Sequence, residues 1–405
     1  LFDHLKLPFL PRFKTKKGGR STDKKVMETL EQYKDSKGNT KYPIIPLMRE
    51  YTKLQTLVNN FYSKLPKRIV DNFIFSSYNQ LGTETGRLSN SQPNLQQTEP
   101  VSRAYMTPDS DDYYFMICDY SQVEYRIMAG LSGEDKVTSF FAANKEADYH
   151  ILAYANMMNK AYEDVTSAER KTGKVLNFGT SYGLEDENLA LNLYGDTTPF
   201  HQKMAREARK KYFDGVPKLR DYFESVRDEA ERVGYAKTLF GRKRIIHEFA
   251  YSRGRVSEYK RGSGRRKAGN MPVQGTAADI MKFAMVRVRN LFRKYGHTEE
   301  EARLVLNVHD EMVMQVHKKL NPWYVCMLMR EAMEMDLSKY GFPPLYIGAN
   351  VGYCWKDGKA DELEAPVILM DEKIAEVKEM MDRGEELPTY DDPRKMWADE
   401  ITKFA

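Results

Sequence analysis

Two short apolar segments, far apart in the chain, each lead into an aspartate. Residues 113–117 are all apolar or aromatic and precede Asp119, and residues 304–306 are followed by Asn307 and then Asp310. Short runs of this kind are typical of buried β-strands. We therefore predict two strands, with Asp119 and Asp310 at the points where they stop.

Helical periodicity marks other parts of the chain. Apolar positions three or four residues apart predict amphipathic helices over residues 26–33, 47–61 and 371–381. Leu387-Pro388 predicts a loop after the last of these helices.

A four-residue repeat predicts a further helix, with Arg170, Lys174, Phe178 and Tyr182 at successive repeat positions. Because four residues rise about 6 Å along a helix, these side chains form one stripe about 18 Å long. Two cations lie at one end of the stripe and two aromatic rings at the other. Gly183 follows directly and is expected to end the helix.

Length and charge indicate a large, mainly basic protein. With 405 residues and 41% apolar content, the chain can bury a large core and is expected to fold as several lobes. The net charge is only +5, but residues 361–405 contribute −8, so residues 1–360 carry +13. Basic runs at residues 14–20 and 253–267 concentrate this charge, as expected of a surface that follows phosphates.

The three cysteines, Cys118, Cys326 and Cys354, show no spacing typical of a zinc site or of a disulfide framework. We expect a reducing compartment. The sequence shows neither a secretory signal nor an apolar run of transmembrane length, and we expect no membrane partner.

The two aspartates suggest metal-assisted chemistry at phosphorus. In-line displacement uses two divalent cations about 3.5–4 Å apart, and carboxylates on strands about 5 Å apart can bridge such a pair. Taken alone, each aspartate is more often a turn residue that ends a strand.

The stripe of cations and rings suits a nucleotide, with its triphosphate on Arg170 and Lys174 and its base near Phe178 and Tyr182. The alternative is an ordinary amphipathic helix with a solvated basic end. The pattern alone leaves both interpretations open.

Six segments together resemble the signatures of the family A DNA polymerases, the bacterial DNA polymerase I type. Residues 119–126, 170–183 and 308–311 resemble the three main signatures. Three further stretches agree in order and spacing: residues 85–89 with 93–96, residues 238–242 and residues 270–279. The similarity extends from Leu1 to about Trp355, and six motifs in one order make coincidence implausible.

The resemblance implies a catalytic role for four neighbouring positions. Asp119 and Asp310 match the metal-binding carboxylates, Glu311 an auxiliary acid, and the backbone carbonyl of Tyr120 completes a metal shell. The implied cofactor is a pair of Mg²⁺ ions, for which Mn²⁺ can substitute.

The resemblance also implies a nucleotide site. Arg170, Lys174 and His150 match phosphate contacts, although His150 on its own would be interpreted as a histidine on a helix face. Phe178 matches the residue against the incoming sugar and base, in the form associated with rejecting dideoxynucleotides. Tyr182 matches the aromatic residue that closes the pocket over the template base.

Glu124 has two interpretations. Ser121 and Glu124 have capping-box spacing, so the glutamate could satisfy backbone N–H groups at the start of a helix. In the family the matching glutamate excludes the 2′-hydroxyl of a ribonucleotide. Both can hold, and we favour the sugar gate.

The resemblance implies a set of DNA contacts. Minor-groove acceptors are nearly the same for every base pair, so amide and basic side chains there test pair geometry without reading sequence. The residues that match are Arg87, Asn94, Gln97, Arg266, Asn270, Gln274 and His309, with Lys16 and Lys17 in a basic loop whose alternative is a solvated surface.

Three positions depart from the family pattern. Gln97 replaces a common Asn, Tyr125 a smaller aliphatic residue, and Gly269 a larger aromatic residue. These departures concern fidelity and mismatch handling, not the reaction.

The implied fold is α+β, a right-hand polymerase with a helical thumb, an antiparallel-sheet palm and helical fingers. The expected layout is thumb 1–75, palm 76–135 and 260–360, fingers 136–259, and an acidic C-terminal tail 361–405 for which surface packing is expected. The chain starts part way into the family's polymerase region, so an upstream segment is expected, in many relatives a 3′ to 5′ exonuclease. No exonuclease motif is recognisable in this sequence, so no proofreading is expected from the chain.

The expected function is template-directed nucleotidyl transfer by a monomer that binds primer-template DNA and deoxynucleoside triphosphates. An upstream exonuclease segment and replisome proteins are candidate further partners. The expected location is the cytoplasm or nucleoid of a bacterium or infected host cell, with an organelle as the alternative. The competing interpretations are a single-subunit RNA polymerase, which Glu124 argues against, and a catalytically silent clamp on primer-template DNA, from which a carboxylate or a stripe cation should be missing.

Overall fold

Both aspartate-bearing segments belong to one four-stranded antiparallel sheet. The structure is a computed structural model that describes Phe2, His4 and residues 6–8, 19–251, 256–359 and 364–404. Its strands are β1 (Ile69–Val70), β2 (Phe73–Ile74), β3 (Ser77–Asn79), β4 (Ser89–Ser91), β5 (Tyr113–Tyr120), β6 (Tyr235–Lys237), β7 (Lys243–Ile245), β8 (Ala302–Val308), β9 (Glu311–His317) and β10 (Ile347–Gly352). The large sheet has the order β10-β5-β9-β8, and the other strands form the pairs β1-β2, β3-β4 and β6-β7.

The rest of the described chain is mostly helical. The helices are α1 (Lys24–Glu31), α2 (Ile44–Leu57), α3 (Pro100–Arg103), α4 (Val123–Ser132), α5 (Asp135–Ala143), α6 (Tyr149–Met158), α7 (Ser167–Ser181), α8 (Asp186–Tyr194), α9 (Pro199–Gly215), α10 (Pro217–Val233), α11 (His247–Ala250), α12 (Glu258–Asn270), α13 (Thr276–Lys294), α14 (Pro322–Met333), α15 (Val367–Asp382) and α16 (Pro393–Phe404). Single π-helical turns follow α2 at Val58–Tyr62 and α12 at Met271–Gly275. No helix among the described residues is both long and apolar enough to cross a lipid bilayer.

The chain divides into two compact units, one of residues 1–75 with 185–207 and one of residues 76–184 with 208–405. The first unit has its own small core, in which Val26, Leu30 and Ile45 are buried. Asp23 caps α1 by accepting a hydrogen bond from the backbone N–H of Val26 (3.0 Å). The helices expected over residues 26–33 and 47–61 correspond to α1 and to α2 with its π-helical turn.

In the second unit, one face of β5 packs on α14. Alternate side chains of a strand point to the same face, and the hydroxyls of Tyr114 and Tyr120 donate to the carbonyls of Leu320 (3.3 Å) and Met333 (2.7 Å), next to the two ends of α14. Asp119 therefore lies on the opposite face. The strand runs through Asp119 to Tyr120, so the aspartate lies inside the strand and not beyond it as predicted.

Arg126 fixes the turn between β5 and α4. Its guanidinium is fully buried and donates to the carbonyls of Ser121 (2.9 Å), Lys145 (2.9 Å) and Pro344 (2.8 Å). Burial lowers the pKa of Arg126 to about 10. Three donated hydrogen bonds in fixed directions suit the planar guanidinium and hold three chain segments beside the sheet.

The described part of the C-terminal tail folds onto the second unit. The ring of Trp397 on α16 is fully buried and stacks on Trp323 of α14 with ring centroids 4.0 Å apart. Asp371 on α15 pairs with Arg330 of α14 (2.8 Å) and with Lys145 (2.5 Å). The described part of the tail packs on the surface of the second unit, in line with the expected surface packing, but α16 was not predicted.

Candidate active site

The two aspartates meet at the point where β5 passes the turn between β8 and β9. Val308 pairs with Glu311, so His309 and Asp310 form a two-residue turn, and His309 has φ of +60°. The backbone N–H of Tyr120 donates to the carbonyl oxygen of Asp310 (3.2 Å), and Asp119 lies directly opposite Glu311. The structure therefore brings Asp119, Tyr120, Asp310 and Glu311 together.

Glu311 is committed to protein contacts. Its side chain is 2% exposed and accepts a hydrogen bond from the indole N–H of Trp355 (2.7 Å). The guanidinium of Arg103 lies 3.8 Å from the same carboxylate oxygen and 4.2 Å from the Trp355 ring centroid. Glu311 therefore anchors Trp355 and Arg103 to the face of the sheet that carries Asp119.

The donor set fits a magnesium site that the substrate completes. Among the described residues, no three His, Cys, Asp or Glu side chains are grouped closely enough to hold a metal ion by themselves. Mg²⁺ is usually bound by one or two carboxylates together with substrate phosphates and water. Asp119 and Asp310, with the neighbouring carbonyl of Tyr120, match that pattern.

Glu124 joins two residues from separate motifs. Its carboxylate accepts a hydrogen bond from Arg87 (2.6 Å) and another from the hydroxyl of Tyr182, just past the end of α7. Burial raises the pKa of Tyr182, and the charge of Glu124 raises it further. The capping-box interpretation is wrong, because the N-cap of α4 is Gln122 and no side chain caps this helix.

The predicted phosphate contacts lie on α6 and α7. Arg170 donates to Asp148 (2.5 Å), whose other carboxylate oxygen caps α6 through the backbone N–H of His150 (2.7 Å). Lys174 is exposed one turn further along α7, and His150 is 5% exposed.

Phe178 belongs to α7, but its side chain lies outside the described residues. The predicted helix corresponds to α7, which ends at Ser181 before Gly183 with φ of +72°.

The predicted DNA contacts occupy several elements. Asn270 at the end of α12 donates to Gln274 in the π-helical turn (3.3 Å), so these two are together. Arg87 contacts Glu124, and His309 occupies the turn beside Asp310.

The other predicted DNA contacts lie on separate elements. Asn94 precedes a 3₁₀ turn that ends at the exposed Gln97. Arg266 is partly exposed on α12, and Lys16 and Lys17 lie outside the described residues.

The basic run at residues 253–267 is largely neutralised where it is described. Arg265 contacts Glu224 (2.6 Å), Asp228 (2.7 Å) and Glu231 (2.8 Å) of α10. Lys267 pairs with Glu248 (2.7 Å). The surface of α12 is therefore less basic than its sequence suggests, because the helix packs on the acidic helix α10.

Two departures from the family pattern have neighbours that explain them. The space beside Gly269 is taken by the buried Arg227, whose Nε lies 3.2 Å from the place of a β-carbon on that glycine. Tyr125 packs its ring against those of Tyr149 (5.1 Å) and His150 (5.0 Å). A larger side chain at position 269 would collide with Arg227.

Sequence reasoning missed several residues that hold this site. Asp148 could have been found, since an aspartate directly before a helix is a common N-cap. The contacts of Arg103 and Trp355 with Glu311, and of Asn177 with His150, depend on tertiary packing.

The chain is similar to known proteins over most of its length. The family described as DNA polymerase family A matches residues 1–357. The thermostable DNA polymerase I of Thermus thermophilus is 34% identical over 343 residues, covering 82% of this chain and 38% of that protein. DNA polymerase I of Pseudomonas aeruginosa is 33% identical over 370 residues, covering 88% of this chain and 37% of that protein.

A solved structure is similar as well. It is the POL domain of Pol1 from M. smegmatis in complex with DNA primer-template and dNTP, with a TM-score of 0.75 and 30% sequence identity. The match covers 89% of this chain and 60% of that one. The chain spans about two-fifths of the length of the curated relatives described above.

Proposed function

The chain belongs to DNA polymerase family A, and on that premise we propose that it extends the 3′-hydroxyl of a primer with deoxynucleotides chosen by a DNA template. The observation that carries the proposal is the meeting of Asp119 and Asp310 through the Tyr120 N–H to Asp310 carbonyl hydrogen bond. Proofreading is no part of the proposal, since every assigned motif belongs to the polymerase region.

The metal-binding residues of the proposal are Asp119, Asp310 and the carbonyl of Tyr120. Two Mg²⁺ ions bound there would supply activation of the attacking oxygen and stabilisation of the leaving oxygen. The sheet fixes both aspartates, since β5 is hydrogen-bonded to strands on both sides and the turn that carries Asp310 joins β8 to β9 and is hydrogen-bonded to Tyr120. Glu311 supports this arrangement through Trp355 and Arg103 and does not need to touch the substrate.

The triphosphate would lie along α7. Arg170 and Lys174 supply positive charge, and His150 supplies a neutral hydrogen-bond donor beside them. Phe178 would lie against the incoming sugar and base, and Tyr182 would close the pocket over the template base. Moving α7 toward the sheet would carry the triphosphate to the aspartates and exclude water, which is how closing segments usually assist such reactions.

The sugar gate of the proposal is Glu124. A carboxylate in the place where a 2′-hydroxyl would project rejects ribonucleotides by steric exclusion. Before substrate binds, Arg87 and Tyr182 hold this carboxylate in position. Arg87 would then contact the primer-template together with Asn94, Gln97, Arg266, Asn270, Gln274 and His309.

The domain layout also remains a proposal. We assign the palm to residues 76–135 and 260–360, which include the four-stranded sheet, and the fingers to residues 136–259, which include α6 and α7. Residues 1–75 would be the thumb, with Lys16 and Lys17 near duplex product.

Primer extension tests the proposed function. A labelled primer-template is incubated with magnesium and either deoxynucleotides or ribonucleotides. Extension with deoxynucleotides alone is the expected result. Efficient use of ribonucleotides would point to an RNA polymerase, and tight DNA binding without extension would point to a silent clamp; each contradicts the proposal.

A further inference from the structure

Asn177 joins α7 to α6 at the predicted phosphate site. It is fully buried, and its side-chain nitrogen lies 3.1 Å from Nδ1 of His150 and 3.3 Å from the carbonyl oxygen of Tyr149. A backbone carbonyl can only accept a hydrogen bond. The amide atom next to it must therefore be the NH₂ group, because the opposite orientation would place two acceptor oxygens against each other.

The same NH₂ group faces the histidine ring, and this decides where the imidazole proton lies. When Nδ1 accepts a hydrogen bond, a neutral imidazole carries its proton on Nε2. We propose that Asn177 is a positioning residue that holds His150 as the Nε2–H tautomer, so that Nε2 donates a hydrogen bond to a phosphate of the incoming nucleotide. The inference rests on the proposed function, because the phosphate belongs to the nucleotide substrate of that reaction.

Further contacts fix His150 relative to α7. Its backbone N–H is held by Asp148, which also binds Arg170. Its carbonyl oxygen occupies the place that a β-carbon on Gly173 of α7 would take, so the two helices touch at that glycine. The ring of Tyr125 meets the imidazole edge-on at 86° with centroids 5.0 Å apart. The imidazole and the cations of α7 therefore form one preorganised group.

The charges around His150 show why the tautomer matters. Burial lowers the pKa of His150 to about 4; Asp148 opposes this, and the charges of Arg170 and Lys174 lower it further. The ring is therefore neutral at neutral pH before nucleotide binds. A neutral imidazole has one donor, and Asn177 determines which nitrogen it is.

The wild-type protein can be tested directly by NMR. The sequence has seven histidines, so the nitrogen resonances of ¹⁵N-histidine-labelled protein are few, and His150→Gln assigns the one of interest. We expect long-range ¹H–¹⁵N spectra at pH 7.5 to show His150 as the Nε2–H tautomer. A protonated Nδ1 in the wild-type spectrum would overturn the proposal without any variant at Asn177.

A variant then reverses the proposed hydrogen bond. In Asn177→Asp the new carboxyl accepts from the ring, so Nδ1 should carry the proton, and the nucleotide KM should rise about tenfold, as for one lost bond to a charged group. DNA affinity should not change. Asn156→Asp is the matched control, because it adds the same charge at an exposed position of α6 and should change neither the tautomer nor KM.

The possible results separate the inference from the proposed function. If Asn177→Asp gives the neutral Nδ1–H tautomer, with no proton on Nε2, but the nucleotide KM stays at the wild-type value, the phosphate role of His150 is wrong and the proposal falls. If Asn177→Asp does not fold, Asn177→Leu should give a mixture of tautomers, and a pure Nε2–H tautomer there would count against Asn177. A wild-type chain that shows the expected tautomer yet extends no primer would contradict the proposed function instead.

Discussion

The hydroxyl of Tyr182 donates a hydrogen bond to the carboxylate of Glu124, which also accepts one from Arg87 (2.6 Å). A residue from the end of α7 is thereby tied to one from the start of α4. If Tyr182 covers the template base, this bond stabilises the arrangement in which no nucleotide is bound. Nucleotide entry must then compete with it.

The first prediction concerns Glu124→Ala. Removal of the carboxylate opens space for a 2′-hydroxyl, so ribonucleotide incorporation relative to deoxynucleotide incorporation should rise on the order of 100-fold. The ratio of kcat/KM values for the two nucleotides measures this change. Glu124→Gln is the control, because it keeps the volume and should keep most of the discrimination. If the alanine variant discriminated against ribonucleotides as well as the wild type does, Glu124 would not be the sugar gate.

A second prediction concerns the contact between α6 and α7. In Gly173→Ala the new methyl group collides with the His150 carbonyl, so the helices must separate, at a cost of about 1–3 kcal/mol in the free energy of unfolding. Urea denaturation measures the loss. Gly262→Ala in α12 is the matched control, since its β-carbon meets only the flexible end of Arg266 at 3.4 Å and should stabilise the helix slightly. Equal stability of both variants would contradict the close helix contact.

The third prediction is a pH dependence of stability. The pKa of His150 falls from 6.5 in the unfolded chain to about 4 in the folded protein. Between these values the unfolded state binds more protons, so stability falls as the pH drops from 6.5 toward 4. By pH 5 the contribution of His150 to this loss, relative to pH 7.5, should be about 2 kcal/mol, seen as the difference between the wild type and His150→Gln. Identical pH slopes for the two proteins would show that His150 keeps its ordinary pKa.

A fourth prediction concerns the C-terminal segment. In Trp397→Ala a fully buried ring that stacks on Trp323 is lost, so the free energy of unfolding should fall by about 3–5 kcal/mol. Thermal and urea denaturation measure it, with Lys395→Ala at an exposed position of α16 as the control. If Trp397→Ala unfolded like the wild type, the packing of α16 on α14 would not contribute to stability.

The sequence predicted those strands and helices that are marked by a pattern among neighbouring residues. The apolar run at residues 113–117 and the four-residue repeat from Arg170 predicted β5 and α7, because strand and helix periodicity depend only on near neighbours. The two strand ends suggested Asp119 and Asp310 as a pair, but only the family resemblance implied that they meet, since strand order cannot be deduced from two separate runs.

Other features depend on which surfaces pack together. Asn177 lies within α7, and nothing near it in the sequence indicates a contact with His150 of α6. The basic run at residues 253–267 was interpreted as a surface charge, because the acidic residues of α10 that contact Arg265 lie more than thirty residues earlier in the sequence. Trp397 lies in a mostly polar segment, so its burial and the whole of α16 were missed.

The most direct test of the central claim is single-turnover primer extension by Asp119→Asn and Asp310→Asn. Each variant keeps the shape of the side chain but removes the charge that would bind a metal ion. We predict a fall in rate of more than about 1,000-fold in both, with DNA affinity within about twofold of the wild type. Asp112→Asn, at an exposed position before β5, should extend normally. A wild-type rate in either Asp119→Asn or Asp310→Asn would contradict the assignment of these residues as the metal-binding pair.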